Sequence, residues 1–291
     1  MRTTVRRLAV LAAASVLTTA VTAAVVAAPA SASAIHDFEI VSATSNSTSG
    51  DKPVTAYCPE GKKVIGTGWS LSGAVGHVHV SLVSASFEDW VTVWAYEDND
   101  GTTEAWTVTA RAMCAEEPPG YEIVSATDTE TFPTGSVTAT CPDGKHLLGT
   151  GFGNDAEHDL VLGSLRPTAT GVTATFGWDE DYTSDPYDIH AYAICADDSI
   201  DIEIVSDYTD RDDTETKIAT AVCPGTRAIG GGISTYGGGD FMATMMKASS
   251  YDGAFFFMAK ATEHDEGYVG LGFDDTWSMG SYAICALAFD D

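Results

Sequence analysis

Cys58-Pro59-Glu60-Gly61, followed closely by Gly66-Thr67-Gly68, is the stretch that decides the architecture, because the chain repeats it. It returns as Cys141-Pro142-Asp143-Gly144 with Gly149-Thr150-Gly151, and again as Cys223-Pro224-Gly225 with Gly230-Gly231-Gly232. Upstream of each copy stands Glu39-Ile40-Val41-Ser42, Glu122-Ile123-Val124-Ser125 or Glu203-Ile204-Val205-Ser206. Downstream each unit closes on Met113-Cys114-Ala115, Ile194-Cys195-Ala196 or Ile284-Cys285-Ala286. Four blocks in one order, with first cysteines 83 and 82 residues apart, define a tandem repeat. The boundaries read as a leader over 1–34 and repeats over 35–119, 120–199 and 200–291. The joints Glu116-Glu117-Pro118-Pro119 and Asp197-Asp198-Ser199 are short, so neighbouring repeats should touch.

Within a repeat the pattern is strand and turn. Val54-Thr55-Ala56-Tyr57, Val91-Thr92-Val93-Trp94-Ala95-Tyr96 and Val172-Thr173-Ala174-Thr175-Phe176 alternate as pleated strands do. Asn99-Asp100-Gly101 and Pro142-Asp143-Gly144 mark turns. Past the leader, no segment holds a capped helical period. The expectation is an all-β protein with about six short strands per repeat. The repeats would pack around a pseudo-threefold axis like a β-prism, or lie in a row as β-sandwiches, and the short joints favour the prism.

The leader has Arg2, Arg6 and Arg7, an apolar stretch from Leu8 to Ala28, and a small-residue exit ending Ala32-Ser33-Ala34, the pattern of a secretory signal peptide. Its removal takes three of the 14 Lys and Arg and none of the 42 Asp and Glu, so the net charge becomes 11 − 42 = −31. Nucleic acid and anionic membrane are then poor partners, and solubility is the plain consequence.

Six cysteines, two per repeat, in an exported chain read as disulfides. The repeat selects Cys58–Cys114, Cys141–Cys195 and Cys223–Cys285. Two residues before each cysteine stands alanine, at 56, 112, 139, 193, 221 and 283, which lets two strands approach to bridging distance. A metal site is disfavoured, because no histidine recurs and no CxxC is present.

The Cys-Pro-x-Gly, Gly-x-Gly and Ala-x-Cys-Ala blocks, with the Ala-rich leader, resemble repeats of secreted proteins from high-GC actinobacteria. The resemblance spans nearly all of the chain past the leader and implies an extracellular location, without an activity. The third repeat departs from the pattern, lacking one residue at Cys223-Pro224-Gly225 and carrying Tyr236-Gly237-Gly238-Gly239. In a ring of repeats, the third face should therefore be the irregular one.

No motif names a chemistry. GxSxG and HExxH are missing, and the Gly-x-Gly blocks open no helix, so they suit a bulge or close strand approach better than a phosphate. His77-Val78-His79 places two imidazoles on one strand face with no third ligand identifiable, which suits a solvated face better than a metal. Asp98-Asn99-Asp100-Gly101 fails the spacing of a calcium loop. Asp179, Asp181, Asp185, Asp210 and Asp212 lie in acidic loops that offer weak calcium sites at best. Aromatic residues beside acids and amides make sugar platforms: Trp94, Tyr96, Asp98, Asn99 and Trp106 around one hairpin, and Trp178, Asp181 and Tyr182 around another. Core packing competes for each tryptophan. The expectation is a non-catalytic, lectin-like extracellular protein that binds glycan or cell-surface polymer through repeated weak sites. A structural component of the cell exterior and a hydrolase with a hidden carboxylate pair are the alternatives.

Overall fold

Alternation builds the strands. Along Trp90–Glu97, Val91, Val93 and Ala95 are buried, while Trp90, Thr92 and Trp94 are half-buried on the other side. That is the two-residue period of a sheet with one covered face. The computed structural model describes residues 33–130, 134–158, 160–178, 186–237, 241–263 and 276–290. The first repeat supplies β1 (Glu39–Thr44), β2 (Lys52–Tyr57), β3 (Lys62–Ser72), β4 (Val78–Phe87), β5 (Trp90–Glu97) and β6 (Thr107–Glu116). The second supplies β7 (Glu122–Glu130), β8 (Gly135–Thr140), β9 (Lys145–Asn154), β10 (Leu160–Thr168), β11 (Gly171–Trp178) and β12 (Tyr187–Asp197). The third supplies β13 (Ile202–Tyr208), β14 (Thr216–Cys223), β15 (Arg227–Gly237), β16 (Phe241–Tyr251), β17 (Ala254–Glu263) and β18 (Trp277–Ala286).

These strands form three six-stranded sheets, each shared by two repeats. Sheet I runs β1-β6-β3-β16-β17-β14, sheet II runs β13-β18-β15-β10-β11-β8, and sheet III runs β2-β5-β4-β9-β12-β7. The first, third and sixth strands of a repeat enter one sheet, and its second, fourth and fifth enter another. The seams are antiparallel: Ser70 faces Met245 in sheet I, Ser234 faces Ser164 in sheet II, and Gly153 faces Leu82 in sheet III. The arrangement is therefore the pseudo-threefold prism and not a row of sandwiches. No face belongs to a single repeat, so an irregular third face has no counterpart.

Each disulfide joins two sheets. Cys58, just after β2 of sheet III, bonds Cys114 on β6 of sheet I; Cys141, after β8 of sheet II, bonds Cys195 on β12 of sheet III; Cys223 on β14 of sheet I bonds Cys285 on β18 of sheet II. Three bridges thus pin three corners, and all six cysteines of the chain are used. The alanines two residues before the cysteines are buried, as bridging requires.

The Gly-x-Gly block is explained at the axis. Opposite each second cysteine the partner strand carries one extra residue: Ile65, Leu148 and Ile229 are the bulged positions, and each is fully buried. The glycine after each bulge lies against the bulge of another repeat. A Cβ at Gly66 would collide with the Ile229 carbonyl oxygen, one at Gly149 with that of Ile65, and one at Gly230 with that of Leu148, the last at 2.5 Å. The three contacts close a cycle, so only glycine fits at these positions. Between the glycines, the Thr67 hydroxyl donates to the Thr150 carbonyl and the Thr150 hydroxyl to the Gly231 carbonyl, both at 2.6 Å. The third repeat breaks this ring: it has Gly231 there, against which the Phe257 ring packs.

The two ends of the described body meet. The Ile35 N–H donates to the Leu287 carbonyl at 2.8 Å, the Phe289 N–H to the Ile35 carbonyl at 2.9 Å, and the Ser33 N–H to the Ser199 carbonyl at 2.7 Å. Ile35 is buried.

Candidate functional site

The strongest candidate is the outer face of sheet III, which the alternation of β5 builds. Trp90, Thr92, Trp94 and Tyr96 point outward, and their cross-strand partners extend the row. Tyr57 on β2 and Phe87 on β4 flank Trp90; Pro53 and Leu82 flank Trp94; His79 lies beside Tyr96. Phe87 stacks on Trp90 at 4.4 Å between centroids, with planes 17° apart, and Tyr57 leans on Trp90 at 5.8 Å. Trp94 and Tyr96 are nearly parallel at 6.0 Å, and the His158 ring meets Tyr96 edge-on at 5.2 Å. Tyr57 is 63% exposed and Phe87 54%, unlike rings that fill a core.

The row ends on polar groups. The His158 Nδ1–H donates to the Glu97 carbonyl at 2.6 Å, and its Nε2 lies 3.7 Å from the Asp51 carboxylate. Partial burial, then the Glu157 and Asp51 charges, raise the Tyr96 phenol above its ordinary pKa. Across the sheet, His190 and Tyr192 stack at 6.4 Å on β12, and Thr127 Oγ1 bonds His190 Nδ1 at 2.9 Å. Gly151 and Gly153 on β9 lie between the two aromatic groups and keep the floor low; a Cβ at Gly153 would strike the Leu82 side chain. The result is a flat, sided aromatic strip with acids and imidazoles at one end.

The structure brings together Trp94 and Tyr96 on one face and buries Trp106 and Asp98 beneath it. Trp106 is 1% exposed and cannot serve as a platform. Its Nε1–H donates to Glu97 at 2.8 Å, and the buried Lys52 ammonium lies 3.7 Å from the ring centroid, a cation–π pair. Burial lowers the Lys52 pKa. Burial raises the Glu97 carboxyl, but N–H donors from Gly50, Trp106 and Thr102 outweigh it and hold the group low. Asp98 is also buried; it accepts the Gly101 N–H at 2.8 Å and pairs with His77 at 2.9 Å, and so builds a turn. Asn99 is exposed at the tip of that turn. Trp178 ends β11, and nothing is described of its side chain; Asp179, Asp181, Tyr182 and Asp185 lie outside the described residues.

Of the calcium candidates, Asp212 is paired with the Lys217 ammonium and accepts the Thr214 N–H at 3.0 Å; these contacts hold its carboxyl down to about 2. The Asp210 carbonyl accepts from Lys217 as well. Among the described residues no group of three or more His, Cys, Asp and Glu converges as metal ligands.

Sequence reasoning missed Tyr57, Phe87, Trp90 and His158. The alternation of β5 marks Trp90, Trp94 and Tyr96 as one face, and that signal was available. Tyr57 and Phe87 needed the strand register. His158 comes from another repeat, brought in by the seam. A cleft of about 470 Å³ opens elsewhere, beside Phe38 and Phe255. Its cations Lys62 and Arg227 are held by Asp37, Glu39 and Asp290.

The fold and the face together define a disulfide-pinned three-sheet β-prism with one aromatic outer surface. The sequence matches no family model and no curated protein at a significant level.

Proposed function

We propose that this is a secreted, non-catalytic recognition protein that binds extracellular glycan on the outer face of sheet III. The observation that carries the reading is the row Phe87, Trp90, Trp94 and Tyr96, at least partly exposed on one sheet and stacked as two near-parallel pairs. Pyranose rings present apolar C–H faces that pack on such rings, while Asp51, Glu157 and His158 offer acceptors and donors to hydroxyl groups at the row's end. Rings fixed by a sheet lose little freedom on binding, which favours affinity. Three disulfides and the leader-like start support export.

The test is retention on a panel of insoluble and printed polysaccharides, with Trp94→Ala and Trp90→Ala beside the unaltered protein. We expect at least about tenfold weaker retention for each variant, since a buried aromatic anchor contributes about 2 kcal/mol or more. The melting temperatures serve as the fold control. Retention unchanged by both variants, or none on any glycan, would refute the reading. Concentration-dependent oligomers without glycan binding would favour an assembly role instead.

A further inference from the structure

Sheet I presents a different outer face. Its outward positions are Ile40, Ser42 and Thr44 on β1, Thr109 and Arg111 on β6, and Gly68 and Ser70 on β3, then Met245, Lys247 and Ser249 on β16, Phe256, Met258 and Lys260 on β17, and Ile218, Thr220 and Val222 on β14. None is Asp or Glu, in a chain with 42 acids. Three are cations, and among the described residues Arg111, Lys247 and Lys260 form no ion pair with a carboxylate. Lys62, Lys63, Lys145, Lys217 and Arg227 do, while Lys52, Arg166 and Arg211, on other parts of the body, likewise form none among the described residues. The Asp207 carboxylate reaches the face at its β14 edge, where it accepts the Thr220 N–H at 3.4 Å.

Two of the cations flank β3 at Gly68. Gly68 pairs with Arg111 on one side, and the seam ladder Met245–Ser70, Met246–Trp69 runs on to Lys247 on the other. A Cβ at Gly68 would meet the Met246 carbonyl oxygen at 2.8 Å, then the Lys247 Cα at 3.5 Å and the Arg111 Cβ at 3.6 Å, so glycine lets the β16 backbone close in and bring Lys247 toward Arg111. The two cationic backbones are two strand spacings apart, about 10 Å. Lys260, opposite Met245, is diagonal to Lys247 at roughly 7–8 Å. The half-buried Arg111 guanidinium donates to Ser70 Oγ at 3.0 Å, and burial lowers its pKa, so a bound oxyanion would restore the charge partner it lacks among the described residues.

We infer that the outer face of sheet I binds the oxyanion groups of a linear acidic polysaccharide, with one carboxylate or sulfate held by the Arg111 and Lys247 side chains. A second oxyanion pairs with Lys260, and Met258 and Phe256 pack on the sugar between. A linear polymer fits better than a membrane. An extended anionic surface would face the whole of a body with net charge near −31, whereas a single chain lies along one face, away from its Asp207 edge, within a Debye length of it. The inference does not depend on the aromatic face of sheet III, which lies on a different pair of half-repeats.

The test measures binding of the whole protein to polygalacturonate and to dextran sulfate at low ionic strength. Uncharged dextran and phosphatidylglycerol vesicles are the comparison arms. We expect retention on one or both polyanions that weakens with salt, and none on dextran or vesicles through this face. Arg111→Gln and Lys247→Gln should each weaken it roughly tenfold, as loss of a charged hydrogen bond does. Lys145→Gln, which lies elsewhere, should leave it unchanged. Equal binding by Arg111→Gln/Lys247→Gln and the unaltered protein, with equal melting temperatures, would overturn the inference. So would no polyanion binding at low salt, or vesicle binding that these two substitutions abolish.

Discussion

At Gly66 a single hydrogen atom separates a fitted axis from a clash with the backbone of another repeat. Gly66→Ala should therefore prevent folding or destabilise by more than about 3 kcal/mol, the range of severe packing and backbone conflicts. Gly177→Ala, with open space where its Cβ would go, should stay within about 0.5 kcal/mol; chemical denaturation of the two variants makes the comparison. Thr150→Val removes the donor to the Gly231 carbonyl in a buried site, and a loss of about 1–3 kcal/mol is expected. Acid should weaken the protein through Asp212. Its folded pKa, about 2, lies below the ordinary carboxylate value, so the stability from its Lys217 pair is complete above about pH 4 and lost as pH falls toward 2. Melting temperature followed from pH 5 to 2 should fall less steeply in Asp212→Asn. Residues also show what a sequence hides. Trp106 stands beside acids and turn residues, as a ligand platform would, yet it is core. The clue was the recurrence of the pair: Lys52 with Trp106 in the first repeat, Lys217 with Trp277 in the third.

Among the elements, strand identity was legible and strand partnership was not. The alternation of Val91, Val93 and Ala95 tells which side of β5 is buried, and the paired cysteines with their alanines tell which strands close. Nothing local in β4 states that it pairs with β9 of the next repeat, because a two-residue period fixes a face and leaves the neighbour open. The seams are therefore the part of the fold that required three dimensions, and His158 joined the aromatic face unannounced for that reason. The bulges were half visible: the Gly-x-Gly blocks suited a bulge or close strand approach without naming Ile229 as the neighbour of Gly66. Each disulfide closes a loop of 54 to 62 residues, so replacing both Cys141 and Cys195 with alanine should cost about 4 kcal/mol in the chain-entropy model. Urea titration against the intact protein reads the loss. Because each bridge joins two sheets, the variant should lose stability throughout, without freeing one repeat.

The described body is a ring of repeats closed where Ile35 meets Leu287 and Phe289, with three faces of different character: aromatic on sheet III, cationic on sheet I with Asp207 at one edge, and on sheet II a tyrosine cluster in which the Tyr208 and Tyr236 hydroxyls lie 3.0 and 3.2 Å from that of Tyr282. One scaffold thus carries separate surfaces on half-repeats of differing sequence. A prism of this length should show a radius of gyration of about 18 Å in solution scattering, smaller than three units in a row would give. The shared sheets themselves are tested most directly by nuclear Overhauser contacts between backbone protons across the seams in the intact, deuterated protein. The account predicts contacts of Ser70 with Met245, Gly153 with Leu82 and Ser234 with Ser164. Interstrand contacts confined within each repeat would contradict it.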